Sequence, residues 1–259
     1  MKARTLSTLG LVCLIVAGCA GKGEIRESRA PVEADVTRIA SARLELAGMY
    51  LGRGQHDIAL EEVRRALAAK PDLPEAYNLQ GLIHASRGDA AQADASFQKA
   101  LQLAPRDGGT MHNYGWYMCQ QRRFADADAQ FNAALAEPQY RDPVRTLLAQ
   151  GVCQARAGRW ADAERTLGRS LQLDPANPVT AYNLSDVLLH RGELERARFY
   201  IGRVNAQPEQ SNAQSLWLAA RIERRLGNVQ GVQDIGRKLV ERFPESNEAQ
   251  LYERGRFDE

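Results

Sequence analysis

Residues that carry catalysis are few and scattered in this 259-residue chain. Its four histidines, His56, His84, His112 and His190, lie far apart, and none falls in a metal-ligand spacing such as H-E-x-x-H. No G-x-S-x-G surrounds a serine. There is no glycine-rich phosphate loop, since the glycines fall at turns or close-packing positions between them. An enzyme, a metal site, a cofactor and a small-molecule substrate are therefore not expected, and the histidines read as surface or groove residues. Ten prolines and 21 glycines are too few for a disordered chain, while 44% hydrophobic and 25% charged residues suit a folded one. Charge of one sign is missing as well. The first 18 residues hold Lys2 and Arg4 and no acid, so the remaining chain balances 32 basic against 32 acidic residues, out of 34 and 32 in all. Nothing in that balance attracts nucleic acid, whose binding needs a clustered basic surface.

No apolar run reaches the roughly 20 residues needed to cross a bilayer. The longest follows Lys2 and Arg4 over residues 6–17, which is the pattern of a signal peptide. It ends Val16-Ala17-Gly18-Cys19, which resembles the bacterial lipobox, where small residues admit a dedicated peptidase and the cysteine thiol receives a diacylglycerol. An ordinary cleaved signal with an incidental cysteine is the alternative. The charged, apolar and small regions abut Cys19 in the order that lipidation requires, and several acyl chains would anchor it firmly. Ala20, not aspartate, follows the cysteine. By resemblance to Gram-negative lipoproteins, that implies the outer membrane, facing the periplasm. Residues 1–18 are then the signal and 19–34 a flexible tether.

From residue 35 to 245 a spacing recurs. In residues 74–107, Gly81, Ala93, Phe97, Ala100 and Pro105 hold fixed offsets. Gly81 and Ala93 stand where two antiparallel helices joined at Arg87-Gly88-Asp89 would cross, Phe97 fills a wedge, and Pro105 stops the second helix. Small residues twelve apart repeat at 47 and 59, 115 and 127, 151 and 163, and 185 and 197, with an insertion near 139–143 after the third pair. A sixth pair keeps the spacing at Ala220 and Val232, but Gly231 and Gly236 weaken its second helix. Residues 246–259 read as a capping helix and tail, with Ser246 as N-cap and Glu248 in the first turn. The period resembles that of the tetratricopeptide repeat, which implies an all-α, right-handed superhelical solenoid of about six helix-turn-helix repeats.

The first helix of each pair lines the concave side of such a solenoid. Leu44, Tyr50, Leu51, Leu82, Trp116, Tyr182 and Trp217 are the candidate partner-binding positions, the two tryptophans foremost, because aromatic anchors concentrate binding energy. The groove suits an extended peptide or an amphipathic helix. Packing between repeats is the alternative use of these positions. Arg221, Arg224 and Arg225 form a basic cluster that reads as a solvated helix face. Cys119 and Cys153 fall on the first helices of adjacent repeats and form either a disulfide or two buried thiols.

One stretch is more particular. His112-Asn113-Tyr114-Gly115-Trp116-Tyr117-Met118-Cys119, with Gly151-Val152-Cys153, the lipobox and the insertion after the third repeat, resembles the PilF/PilW family of type IV pilus biogenesis lipoproteins. That resemblance covers the chain beyond its signal. It implies a non-catalytic pilotin that binds secretin subunits and promotes their assembly into the pilus exit pore. A different periplasmic tetratricopeptide lipoprotein, serving outer-membrane β-barrel assembly or cell-wall enzymes, is the competing expectation.

Overall fold

The computed structural model describes residues 29–257, with side chains from residue 35. Cys19, the lipobox and the remaining residues through 28 lie outside the described residues, as do 258 and 259. Among the described residues there are thirteen helices and no strand. They pair in sequence: α1 (Arg29–Gly52) with α2 (His56–Ala69), α3 (Pro74–Arg87) with α4 (Ala90–Leu103), and α5 (Gly108–Gln120) with α6 (Phe124–Ala136). Then follow α7 (Pro143–Arg156) with α8 (Trp160–Leu173), α9 (Pro178–Arg191) with α10 (Leu194–Asn205), and α11 (Ala213–Arg225) with α12 (Val229–Arg242), closed by α13 (Asn247–Glu253). The expected six helix-turn-helix repeats are all present. α1 starts earlier than expected, inside the stretch read as tether. Ala30, Glu33 and Ala34 are good helix formers, and Pro31 stands in the first turn, where its missing N–H breaks no bond.

Helix boundaries follow local chemistry. Pro74, Pro143 and Pro178 open α3, α7 and α9, and Asn177 and Asn212 accept hydrogen bonds from the backbone N–H of Thr180 and Ser215. Five inter-helix turns place a glycine in the left-handed region, at Gly54, Gly88, Gly158, Gly192 and Gly227. The third pair puts Arg122 there instead, at φ 61°. In the second, third and fourth pairs the small residue of the first helix receives a large side chain from the second. A Cβ on Gly81 would lie 2.8 Å from the Phe97 ring, one on Gly115 3.0 Å from Phe131, and one on Gly151 2.5 Å from Leu167 Cγ. Ser185 fills the corresponding place in the fifth pair and donates its hydroxyl to the Ala197 carbonyl at 2.8 Å. Not every glycine is at such a place: Gly168 and Gly202 stand in mid-helix with nothing within 4 Å of a Cβ.

Neighbouring odd-numbered helices come backbone to backbone all along the array, from α1 with α3 to α9 with α11, whereas even-numbered neighbours stand further apart and meet only through long side chains, as Arg196 of α10 and Glu164 of α8 do at 2.7 Å. The odd side is therefore the shorter, inner side of a curved stack. The insertion between α6 and α7 carries Tyr140, whose ring lies against Gly108 so closely that a Cβ there would be 2.6 Å away. The array closes at α13, where Ser246 Oγ accepts from the Ala249 N–H at 3.1 Å. Gly236, read from sequence as a weak point of α12, has another explanation: any Cβ there would overlap the Tyr252 ring of α13. Gly231 is likewise crowded by Asn228 and Glu223. Gly236 lets the cap seat, and Gly231 lets the start of α12 close on α11.

Candidate functional site

The aromatic stretch on α5 is first of all a packing hub. Asn113 Nδ2 donates to Asn78 Oδ1 on α3 at 3.2 Å, and the Tyr114 hydroxyl donates to Asp94 Oδ1 on α4 at 2.7 Å. The Tyr117 hydroxyl donates to the Ala90 carbonyl at 3.0 Å, and the Phe97 ring stacks on Tyr114 with centroids 5.1 Å apart. Burial pushes both tyrosine hydroxyls to a higher pKa, so they remain neutral donors. Arg123 Nη1 also donates to Asp94, to Oδ1 at 2.8 Å and Oδ2 at 3.0 Å. Cys119 is disulfide-bonded to Cys153 on α7, with Cα atoms 5.8 Å apart. Thus α5 is fastened to α3, α4, α6 and α7 at once. Trp116 is the one aromatic of this stretch that turns partly to solvent, and the Arg156 guanidinium lies 5.0 Å from its ring centroid.

Leu44, Tyr50, Leu51, Leu82, Trp116 and Tyr182 are half-buried on the odd helices, each with part of its surface against the core of its own repeats. They do not form one continuous patch; Leu44, Tyr50 and Leu51 belong to the first repeat, Leu82 and Trp116 to the middle, and Tyr182 to the fifth. Burial, with Asp186 nearby, raises the Tyr182 pKa, and Arg221 opposes them.

Two positions depart from expectation. Trp217 is only 6% exposed, because the Phe257 ring from the tail stacks on it at 5.0 Å. It is core, not groove. His112, expected at the surface, is 4% exposed, and its Nδ1 lies 2.9 Å from Thr146 Oγ1, which also bonds the Tyr140 hydroxyl at 2.6 Å. Burial, helped by Arg145 and opposed by Asp142, lowers the His112 pKa to about 4. The tail covers Trp217, and His112 meets Thr146 of α7, which Tyr140 of the insertion also holds. Sequence reasoning missed Arg156 and Phe257, whose roles arise only once distant segments meet. Among the described residues no group of three or more His, Cys, Asp or Glu is arranged to hold a metal ion. No described helix is long and apolar enough to cross a membrane.

Two tetratricopeptide-repeat family models match the chain, one over residues 40–108 and 119–178 and the other over 154–222. The chain is a tetratricopeptide-repeat protein. Its relatives with these repeats include the type IV pilus assembly protein PilF of Pseudomonas aeruginosa, 26% identical over 243 residues, covering 94% of this chain and 95% of the relative. The crystal structure of PilW, a widely conserved type IV pilus biogenesis factor, superposes with a TM-score of 0.75 at 29% identity, over 82% of this chain and 97% of PilW. The structure of Pseudomonas aeruginosa PilF gives 0.73 at 25% identity, over 86% and 100%. The chain is homologous to these type IV pilus biogenesis proteins over nearly their whole length.

Proposed function

We propose that the chain is a pilotin: a lipoprotein, acylated at Cys19 and held at the outer membrane facing the periplasm, that binds secretin subunits and promotes assembly of the pilus pore. The observation that supports this reading is the match to PilF across 94% of the chain. The half-buried leucines and aromatics of the odd helices supply the means, since a preformed concave surface takes a strand or helix of another protein without first ordering itself. Lipid anchoring would raise the local concentration of that surface at the membrane where the pore assembles, and covering an exposed strand edge would prevent its aggregation. The first repeat, which follows the tether, is the contact region in this reading, through Leu44, Tyr50, Leu51 and the neighbouring Leu82. No step requires catalysis.

Deletion of the gene tests it, with the SDS-resistant secretin multimer, its membrane fraction and twitching motility as readouts, and Cys19→Ser as a second strain. Loss or mislocalisation of the multimer in the deletion, and partial impairment in Cys19→Ser, is the expected result. An unchanged multimer and normal motility, with defects in outer-membrane barrels or cell shape instead, would replace the pilus reading by the scaffold alternative.

A further inference from the structure

The arginines of α11 do more than solvate a helix face. Arg221, Arg224 and Arg225 surround a cavity of about 160 Å³, whose other walls are Leu189 and His190 at the end of α9 and Phe257 from the tail. At roughly 30 Å³ per water, that volume is about five waters. The Arg224 guanidinium lies 4.5 Å from the Phe257 ring centroid, which holds it at the rim. His190 is fixed too: its ring stacks on Trp160 at 4.3 Å, and its Nδ1 donates to the Asp186 carbonyl at 2.9 Å. Asp186 also places a carboxylate oxygen 3.8 Å from His190. Yet among the described residues no carboxylate pairs with any of the three arginines, although thirteen other arginines form ion pairs. Three unpaired guanidinium groups around one small cavity repel one another unless an anion joins them.

We infer that this cavity is a receptor for the side-chain carboxylates of an acidic peptide segment lying along the concave face. Guanidinium forks match carboxylates in bidentate pairs. Leu189 and Phe257 suit an anion carried on methylenes, whereas a bare inorganic anion would leave them facing charge. The cavity opens between α9 and α11, two helices of the inner side, so an extended chain crossing the repeats reaches it. Arg156 beside Trp116, two repeats earlier, likewise has no carboxylate partner among the described residues and would prolong the same basic, aromatic track. The inference does not depend on which protein the array serves.

The test uses the full chain in detergent and a fluorescein-labelled peptide of alternating Leu and Glu, with its Leu-Gln counterpart as control, read by anisotropy. The Glu peptide is expected to bind at least roughly tenfold tighter, and Arg221→Gln with Arg224→Gln to weaken it by about tenfold to a hundredfold, as loss of charge-assisted bonds does. The thermal midpoint serves as the folding control and is expected to shift little, because loss of the Arg224–Phe257 contact and relief of repulsion among the arginines act in opposite directions. Glutarate is expected to compete. Equal binding of the two peptides, or undiminished binding by the arginine variant, would overturn the inference. So would displacement by inorganic phosphate but not by glutarate at matched ionic strength. Secretin multimers are not read in this assay, so its failure leaves the pilus reading standing, and the converse holds.

Discussion

Residues that look alike in the sequence have opposite roles here. Gly151 and Gly168 are both helical, but a Cβ on Gly151 would stand 2.5 Å from Leu167 Cγ, whereas at Gly168 nothing lies within 4 Å. Gly151→Ala should therefore destabilise the protein by about 1–3 kcal/mol through overpacking. Gly168→Ala should stabilise it by about 0.5–1 kcal/mol through helix propensity. Thermal unfolding of the two variants decides, and shifts of the same sign would contradict the packing described. His112 makes a pH prediction. Its pKa is about 4 in the folded chain against 6.5 when unfolded, so between these values the unfolded chain holds a proton that the folded one lacks. Stability is thus complete above about pH 6.5 and falls as pH drops towards 4, by up to about 3 kcal/mol. Denaturant midpoints at about pH 7.5 and 4.5 should differ less in His112→Asn than in the wild type; equal differences would remove His112 as the cause. The burial of His112 was not legible, because the same repeat offset is half-buried at Leu44, Leu148 and Tyr182. Only the insertion, whose Tyr140 folds back onto Thr146 of α7, tells them apart.

At the scale of elements the helix pairs were readable, since small residues twelve apart and left-handed glycines at the turns are requirements of two helices crossing closely. The cysteines were readable in part: both fall on the first helices of adjacent repeats, four residues after Gly115 and two after Gly151, which allowed a bridge without deciding between it and two thiols. Replacing both with serine should cost about 2–4 kcal/mol and abolish the effect of reductant on the denaturant midpoint. A reductant effect that persists in the double variant would show another cause. The turn at Arg122 is a second case. Five sister turns use glycine at this left-handed place, so Arg122→Gly should raise stability by about 1 kcal/mol and Arg122→Ala should not. No gain from glycine would mean that the arginine side chain compensates. Less readable were the ends of the array, where the repeat frame stops constraining the chain. The start of α1 at Arg29 and the demand of Tyr252 for Gly236 belong to contacts or propensities outside the period.

Across the whole molecule, stacked repeats bury a continuous core only if both ends are dealt with. At the C-terminal end Trp217, Ala220 and Leu239 of the sixth pair are covered by Ala249 and Phe257. Removal of residues 246–259 should uncover that face and make the protein associate with rising concentration in sedimentation velocity, whereas the full chain should not grow through this end. A truncated chain that stays monomeric would show the cap to be dispensable. The groove was the least legible feature at this scale: period alone placed its leucines on the inner side, but Trp217 was lost to the cap and the cavity rim gained Phe257 from the tail. The closed end also determines the kinds of assembly open to the array. The outer side of α1 leaves Ile39 53% and Met49 55% exposed, while its opposite number beyond α12 is sealed by α13. In the language of polymer chemistry such a unit is monofunctional. Head-to-tail growth needs two different sticky ends on each copy, and here one of them is missing. Two copies meeting through α1 would form a symmetric pair, and a third would find no end to join.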